Sequence, residues 1–228
     1  MSFPFRIVTR SAEFDRVMNL PKRELSADAS GVLTQKLRTE NGTMTLRPIQ
    51  AQALSELEQC QGLFAPIRVG GGKTLISLLA PVLLQAKRPL LLMPAKLIAK
   101  TEAEAKVLGQ HWRLGKLKIM SYELLGHERG QKEFLEYAPD FIIADECHKL
   151  KNTKAAVTRR VSRYISKNPK TVMLAMSGTI TKRSIRDFWH IAKWCLRSNA
   201  PVPLNWPEMS LWADALDENV PALMRVKP

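Results

Sequence analysis

Short apolar runs alternate with longer stretches in which apolar residues recur at helical spacing, a rhythm that begins near residue 44 and continues to about 196. The runs 64–69 (FAPIRV), 89–94 (PLLLMP), 116–120 (KLKIM), 140–144 (DFIIA) and 171–176 (TVMLAM) predict strands. The stretches 48–60, 72–86, 96–109, 154–166 and 184–196 predict the helices between them. Short strands joined by helices imply a parallel sheet, and near-continuous apolarity implies that both of its faces are covered. The expected fold is a three-layer α/β/α domain with a mostly parallel sheet.

The ends of the chain break this rhythm. Residues 1–43 include the polar, turn-rich SADASGVLTQKLRTENGT and are expected to form an N-terminal extension or accessory element. Residues 199–228 open with a proline-rich segment, continue through a short amphipathic stretch and finish in RVKP, as a connector carrying one short helix would. The core domain is thus expected at 44–198.

Composition changes the picture mainly through charge. Hydrophobic residues make up 45% and charged residues 25% of the 228, which excludes a disordered or fibrous class. No apolar run is long enough to span a membrane, and the start MSFPFRIVTRSAEF has no signal-peptide core, so an intracellular setting is expected, cytoplasmic or beside a genome, including a phage-encoded one. Cys60, Cys147 and Cys195 are widely spaced and form neither a disulfide framework nor a zinc motif. Thirty-five basic residues against 21 acidic ones give a net charge of +14. Twelve of the basic residues lie between Lys149 and Lys193, where Asp187 is the one acid. Solvated helix faces would explain such a run, but mixed signs would solvate equally well, so a polyanionic partner, nucleic acid, is the expectation.

Two strings carry chemistry. In VGGGKT the strand is expected to end at Val69 and a helix to begin near Gly72, which turns the backbone N–H groups of Gly70, Gly71, Gly72, Lys73 and Thr74 into a phosphate nest. Lys73 would reach the β- and γ-phosphates, and the Thr74 hydroxyl would ligate Mg²⁺. In FIIADECHKLKN an acid follows a buried strand directly: Asp145 would hold Mg²⁺ and Glu146 would orient the attacking water. His148 is read as a hydrogen-bonding link from this acidic box to Ser177 or Thr179, Cys147 as a small packed residue, and Trp189 and Trp194 as packing side chains.

Taken in order, these strings resemble the superfamily-2 helicases and translocases, and within them the Swi/Snf-like branch. LRPIQAQAL resembles the motif before the P-loop, where Gln50 would read adenine. LLLMPAKLIAKTEAEA resembles the next motif, with Pro94 and Lys96 toward the nucleic acid and Glu104 at its acidic position. IMSYELL resembles the motif that brings Ser121 and Tyr122 near the nucleic-acid track. DECHKLKN resembles the Asp-Glu-x-His box, and MSGTITKRSIRDFW the motif in which Ser177, Gly178 and Thr179 couple the ATP state to nucleic-acid grip. Three positions depart from the pattern: Ile67, Thr101 and Ile180.

The resemblance implies a RecA-like P-loop domain that uses ATP and Mg²⁺ to move on nucleic acid, DNA by its branch. It also implies a second RecA-like domain, in cis or in trans, to complete the site. A non-hydrolysing ATP- and DNA-binding regulatory module is the alternative. A kinase or transport ATPase is disfavoured, since LRPIQ and SGT have no role there.

Overall fold

A computed structural model describes residues 10–22, 29–179 and 184–216. Ile180, Lys182, Arg183 and the terminal RVKP, all invoked from the sequence, lie outside the described residues.

The helices are α1 (Ala12–Met18), α2 (Ala29–Leu37), α3 (Pro48–Cys60), α4 (Lys73–Leu83), α5 (Ile98–Leu108), α6 (Tyr122–Leu125), α7 (Glu128–Tyr137), α8 (Ala156–Lys167), α9 (Trp189–Leu196) and α10 (Trp206–Leu216). The strands are β1 (Leu63–Ala65), β2 (Pro89–Met93), β3 (Lys118–Ser121), β4 (Phe141–Asp145) and β5 (Val172–Met176). They form one sheet in the order β1-β5-β4-β2-β3, with every pair parallel.

Alternate residues of each central strand serve opposite layers. Leu91, Met93, Phe141, Ile143, Leu174 and Met176 join the cluster under α2 to α5. Leu90, Leu92, Ile142, Ala144, Met173 and Ala175 join the cluster under α6 to α9. This period-two division explains why the strands read as unbroken apolar runs, and the result is a RecA-like three-layer α/β/α domain.

Three local expectations change. The run 64–69 is a strand only to Ala65, because Pro66 has no N–H for the ladder and Ile67 N turns back onto the Ala65 carbonyl. The stretch 184–196 opens as a 3₁₀ turn, Ile185–Asp187, before α9. Within 1–43, α2 packs on α3 and buries Leu33, Thr34 and Leu37.

The two ends meet. Arg16 on α1 donates to the carbonyls of Ser198, Ala200 and Val202 at 2.6, 3.0 and 2.7 Å, and Glu13 accepts from Leu204 N at 2.7 Å. Phe14 packs on Trp212 of α10. Trp189 lies against Trp206, and Trp194 meets His190 edge-on, so both tryptophans of α9 are packing residues.

Candidate nucleotide and nucleic-acid site

Parallel strands direct their C-terminal ends to one edge, and there the two chemical strings converge. The loop after β1 runs through Ile67 to Gly72, and α4 begins at Lys73. Gly72 has φ +83°, and a Cβ there would overlap the Gln50 amide. The positive φ favours glycine here, and a larger residue would also displace the Gln50 amide from its contacts. Ile67, one of the three departures from the motif pattern, is buried, and its Cγ2 faces Gly71.

α3 braces this loop from outside. Pro48 opens the helix, and the Gln50 side chain accepts from Arg47 N at 2.9 Å. The Gln50 amide also donates to the Gly72 carbonyl at 3.4 Å, while Arg47 Nη1 donates to the Gly70 carbonyl at 2.9 Å. Gln50 is buried, with both ends of its amide engaged. Arg47 is a contact that sequence reasoning missed, although it stands in the quoted LRPIQ string.

At the end of β4, Asp145 is 8% exposed and pairs in register with Met176. Burial, and then the Glu146 charge, push its carboxyl up to about 6, against the pull of Lys73. Glu146 follows with φ 54° and ψ 48°, a left-handed conformation that non-glycine residues adopt at a cost of about 1–3 kcal/mol. That turn carries its carboxylate back over the site. Oε1 lies 3.4 Å from Lys73 Nζ, and Oε2 lies 3.2 Å from His148 Nδ1 and 3.5 Å from Ser177 Oγ.

His148 Nδ1 is also 3.2 Å from Ser177 Oγ, which accepts from Thr179 N at 3.2 Å. Because an ionised carboxylate only accepts, a proton on Nδ1 suits this network. Ser177 is fully buried, and Gly178 packs close to the Ile67–Val69 backbone. Lys73, Glu146, His148, Ser177 and Thr179 thus form one continuous polar chain linking the phosphate loop to the end of β5.

Other expected residues take different positions. Pro94 is buried and Lys96 exposed at the start of the turn before α5. Ser121 is buried and caps α6 by accepting from Leu124 N. Tyr122 is buried, and its hydroxyl donates to the Asp145 carbonyl at 2.8 Å. Both side chains are largely enclosed, Ser121 at 7% and Tyr122 at 4% exposed. The Tyr122 hydroxyl steadies the backbone of Asp145 at the end of β4, a contact that IMSYELL alone does not reveal. Glu123 accepts from Ala95 N at 3.0 Å, tying this segment to the one carrying Lys96. Cys147 is buried and packed, its thiol pushed up to about 12 by burial and the adjacent acids.

The donor chemistry fits a hard divalent cation, with a buried carboxylate at Asp145 and a hydroxyl at Thr74 in the first turn of α4. Among the described residues no group of three His, Cys, Asp or Glu is placed to hold a metal ion, so water and nucleotide oxygens would complete such a shell. No helix among the described residues is long and apolar enough to cross a membrane.

Residues 100–182 match the family model described as type III restriction enzyme, res subunit. The match covers 83 of the 228 residues and contains the acidic box and Ser177 to Thr179, while the phosphate loop lies before it. No curated protein matches the chain. The matched stretch, with the all-parallel sheet, indicates a superfamily-2 helicase-like RecA fold and supports a helicase-type ATP-binding domain.

Proposed function

We propose that the chain is the ATP-binding half of an ATP-dependent DNA helicase or translocase, closest to the Swi/Snf-like branch, in which ATP hydrolysis drives movement along the phosphate track. The observation that carries this reading is the position of Glu146, 3.4 Å from the phosphate-loop lysine and joined to His148 and Ser177. A site that only bound nucleotide would have no use for a strained carboxylate held there.

In this reading Lys73 and the Gly70–Thr74 backbone hold the β- and γ-phosphates, and Gln50 and Arg47 frame the loop on the adenine side. Thr74 and Asp145 hold Mg²⁺, which when bound neutralises charge developing on the transferred phosphoryl group. Glu146 leaves Lys73 for the attacking water, and the released lysine turns to phosphate. His148 and Ser177 sense that exchange and pass it through Gly178 and Thr179, while Pro94 and Lys96 lie toward the nucleic acid. A second RecA-like domain, in cis or in trans, supplies the arginine that completes the transition-state charge, a contribution of about 10³–10⁵ in related systems.

Phosphate release with Mg·ATP, with and without duplex or single-stranded DNA, tests the proposal. Lys73→Ala should weaken ATP binding about 10–100-fold, whereas Glu146→Gln should keep binding and lower turnover by roughly 10²–10⁴. Tight ATP binding with turnover indifferent to Glu146, even beside a complementing second domain, would sink the motor and leave the non-hydrolysing module.

A further inference from the structure

The forty positions 147–186 contain no acidic residue, and α8 lies in the middle of them. Its inner stripe is built for docking. Thr158, Val161 and Tyr164 are buried, with Val157 and Ile165 packed alongside. Two polar anchors fix the helix along its length: the Thr158 hydroxyl donates to the Leu150 carbonyl at 3.2 Å and the Tyr164 hydroxyl to the Pro139 carbonyl at 2.8 Å. Phe134 meets the Tyr164 ring edge-on. Thr158 ties the first turn to the segment after the acidic box, and Tyr164 ties the last turns to Pro139, two residues before β4, so α8 runs from the nucleotide edge to the opposite edge of the sheet.

The outer stripe is all of one sign. Arg159, Arg163 and Lys167 occupy successive i, i+4 positions, are exposed, and are extended by exposed Lys154 before the helix and Lys170 after it. Among the described residues no ion pair joins any of the five to a carboxylate. By contrast, exposed lysines on α5 and α7 have helical partners, Lys100 with Glu104 and Lys132 with Glu136. Successive charges on α8 stand about 6 Å apart along the axis, and like charges at that spacing destabilise a helix slightly. A ridge that accepts this cost without a neutralising acid is organised for an external anion.

We propose that the outer face of α8 is a nucleic-acid contact, a rigid ridge that holds the phosphate backbone of a duplex along a line leading away from the nucleotide edge. It rests on the reading of the chain as a nucleic-acid motor domain and adds a second surface to it, distinct from the Pro94–Lys96 corner. Three features favour a phosphate backbone over other anions. The charges form a line one helix wide, as a strand of phosphates does. Two of the three helical positions are arginine, whose planar fork matches phosphate oxygens. The exposed stripe carries no large apolar side chain of the kind that inserts into an anionic membrane surface.

The test is fluorescence anisotropy of a labelled 20-bp duplex with the purified full chain, across a salt series. The variant Arg159→Gln/Arg163→Gln/Lys167→Gln is compared with Lys100→Gln/Lys106→Gln/Lys132→Gln, which removes the same charge elsewhere. Binding of a fluorescent ATP analogue and the thermal midpoint are followed in each. The ridge variant should lose at least tenfold in duplex affinity and flatten the plot of log affinity against log salt by about 2–3, at roughly 0.9 per phosphate contact. The control should change affinity less than about threefold, and ATP-analogue binding should be unaltered in both. Equal losses in the two variants, or none in either, would overturn the ridge. So would loss confined to binding of phosphatidylserine vesicles or a polyglutamate peptide. Loss of ATP-analogue binding in the unsubstituted chain would strike the motor reading instead and leave the duplex result standing.

Discussion

At the C-terminal edge of the sheet, Lys73, Asp145 and Glu146 are largely enclosed, and each charge faces another. Along α8, Arg159, Arg163 and Lys167 are exposed, and among the described residues no carboxylate pairs with them. The difference lies in what each region can respond to. Enclosed, mutually opposed charges have their attractions already engaged, so a ligand must exchange one partner for another, and the answer is a discrete rearrangement. Exposed charges of one sign keep their Coulomb attraction unspent and answer any polyanion in proportion to the ions released. Nucleotide should therefore act on this molecule as a switch and nucleic acid as a salt-graded grip.

Ionic strength separates the two most strongly. Raising salt from 50 to 200 mM should weaken duplex binding by about 10²-fold if roughly four phosphates are engaged. ATP binding at the largely enclosed Lys73 should change less than about threefold over the same range, because buried charges are screened far less. Anisotropy and ATP-analogue titrations on one sample measure both. Parallel salt dependence would break the distinction between the regions.

The next largest effect probes enclosure at the nucleotide corner. The Asp145 carboxyl titrates near 6 in the folded chain, above the ordinary 3.8. A folded state that holds its proton more tightly than the unfolded one is stabilised by that proton below about pH 4 and loses the stabilisation as pH rises through about 6. Asp145→Asn, which cannot ionise, should escape this loss and be more stable than the parent by about 1–3 kcal/mol at pH 7 without divalent metal. The gap should close toward pH 4. Thermal unfolding at several pH values measures it, and a gap independent of pH would show that Asp145 is not strained by its enclosure. Turnover should fall in the same variant, the usual conflict between a charged site and its own stability.

How much of this was legible in the sequence follows from the same contrast between local pattern and long-range placement. Helix α3 has its expected limits, and the central strands lie within two residues of theirs, because buried parallel strands and amphipathic helices write their period directly into the chain. Helix α7 escaped because only Gly130 and Phe134 of its ten residues are buried, too few to set a period. Helix α2 escaped because its buried face, Leu33, Thr34 and Leu37, sits in a polar, glycine-containing string. At the site, the residue types and their order were readable, since the phosphate loop and acidic box are contiguous strings. The Lys73–Glu146 approach was not, because it depends on a left-handed turn at Glu146 and on β1 and β4 being brought to one edge across β5. Nor was the inward turn of Tyr122, whose partner is a backbone carbonyl and so leaves no sequence signature.

That tyrosine gives the smallest and most local test. Tyr122→Phe keeps the ring and its packing but removes the hydroxyl that donates to the Asp145 carbonyl at 2.8 Å. A buried carbonyl deprived of its donor should cost about 1–2 kcal/mol, seen as a lower urea midpoint with an unchanged slope. If Tyr122 acts through Asp145, the affinity for Mg·ATP should fall by a few-fold while duplex binding without nucleotide stays unchanged. If Tyr122 instead belongs to the nucleic-acid track, as the string IMSYELL implies, duplex affinity should fall and the nucleotide constants should hold. The two outcomes assign this residue to opposite sides of the comparison, so one conservative substitution decides whether the segment after β3 steadies the switch or extends the grip.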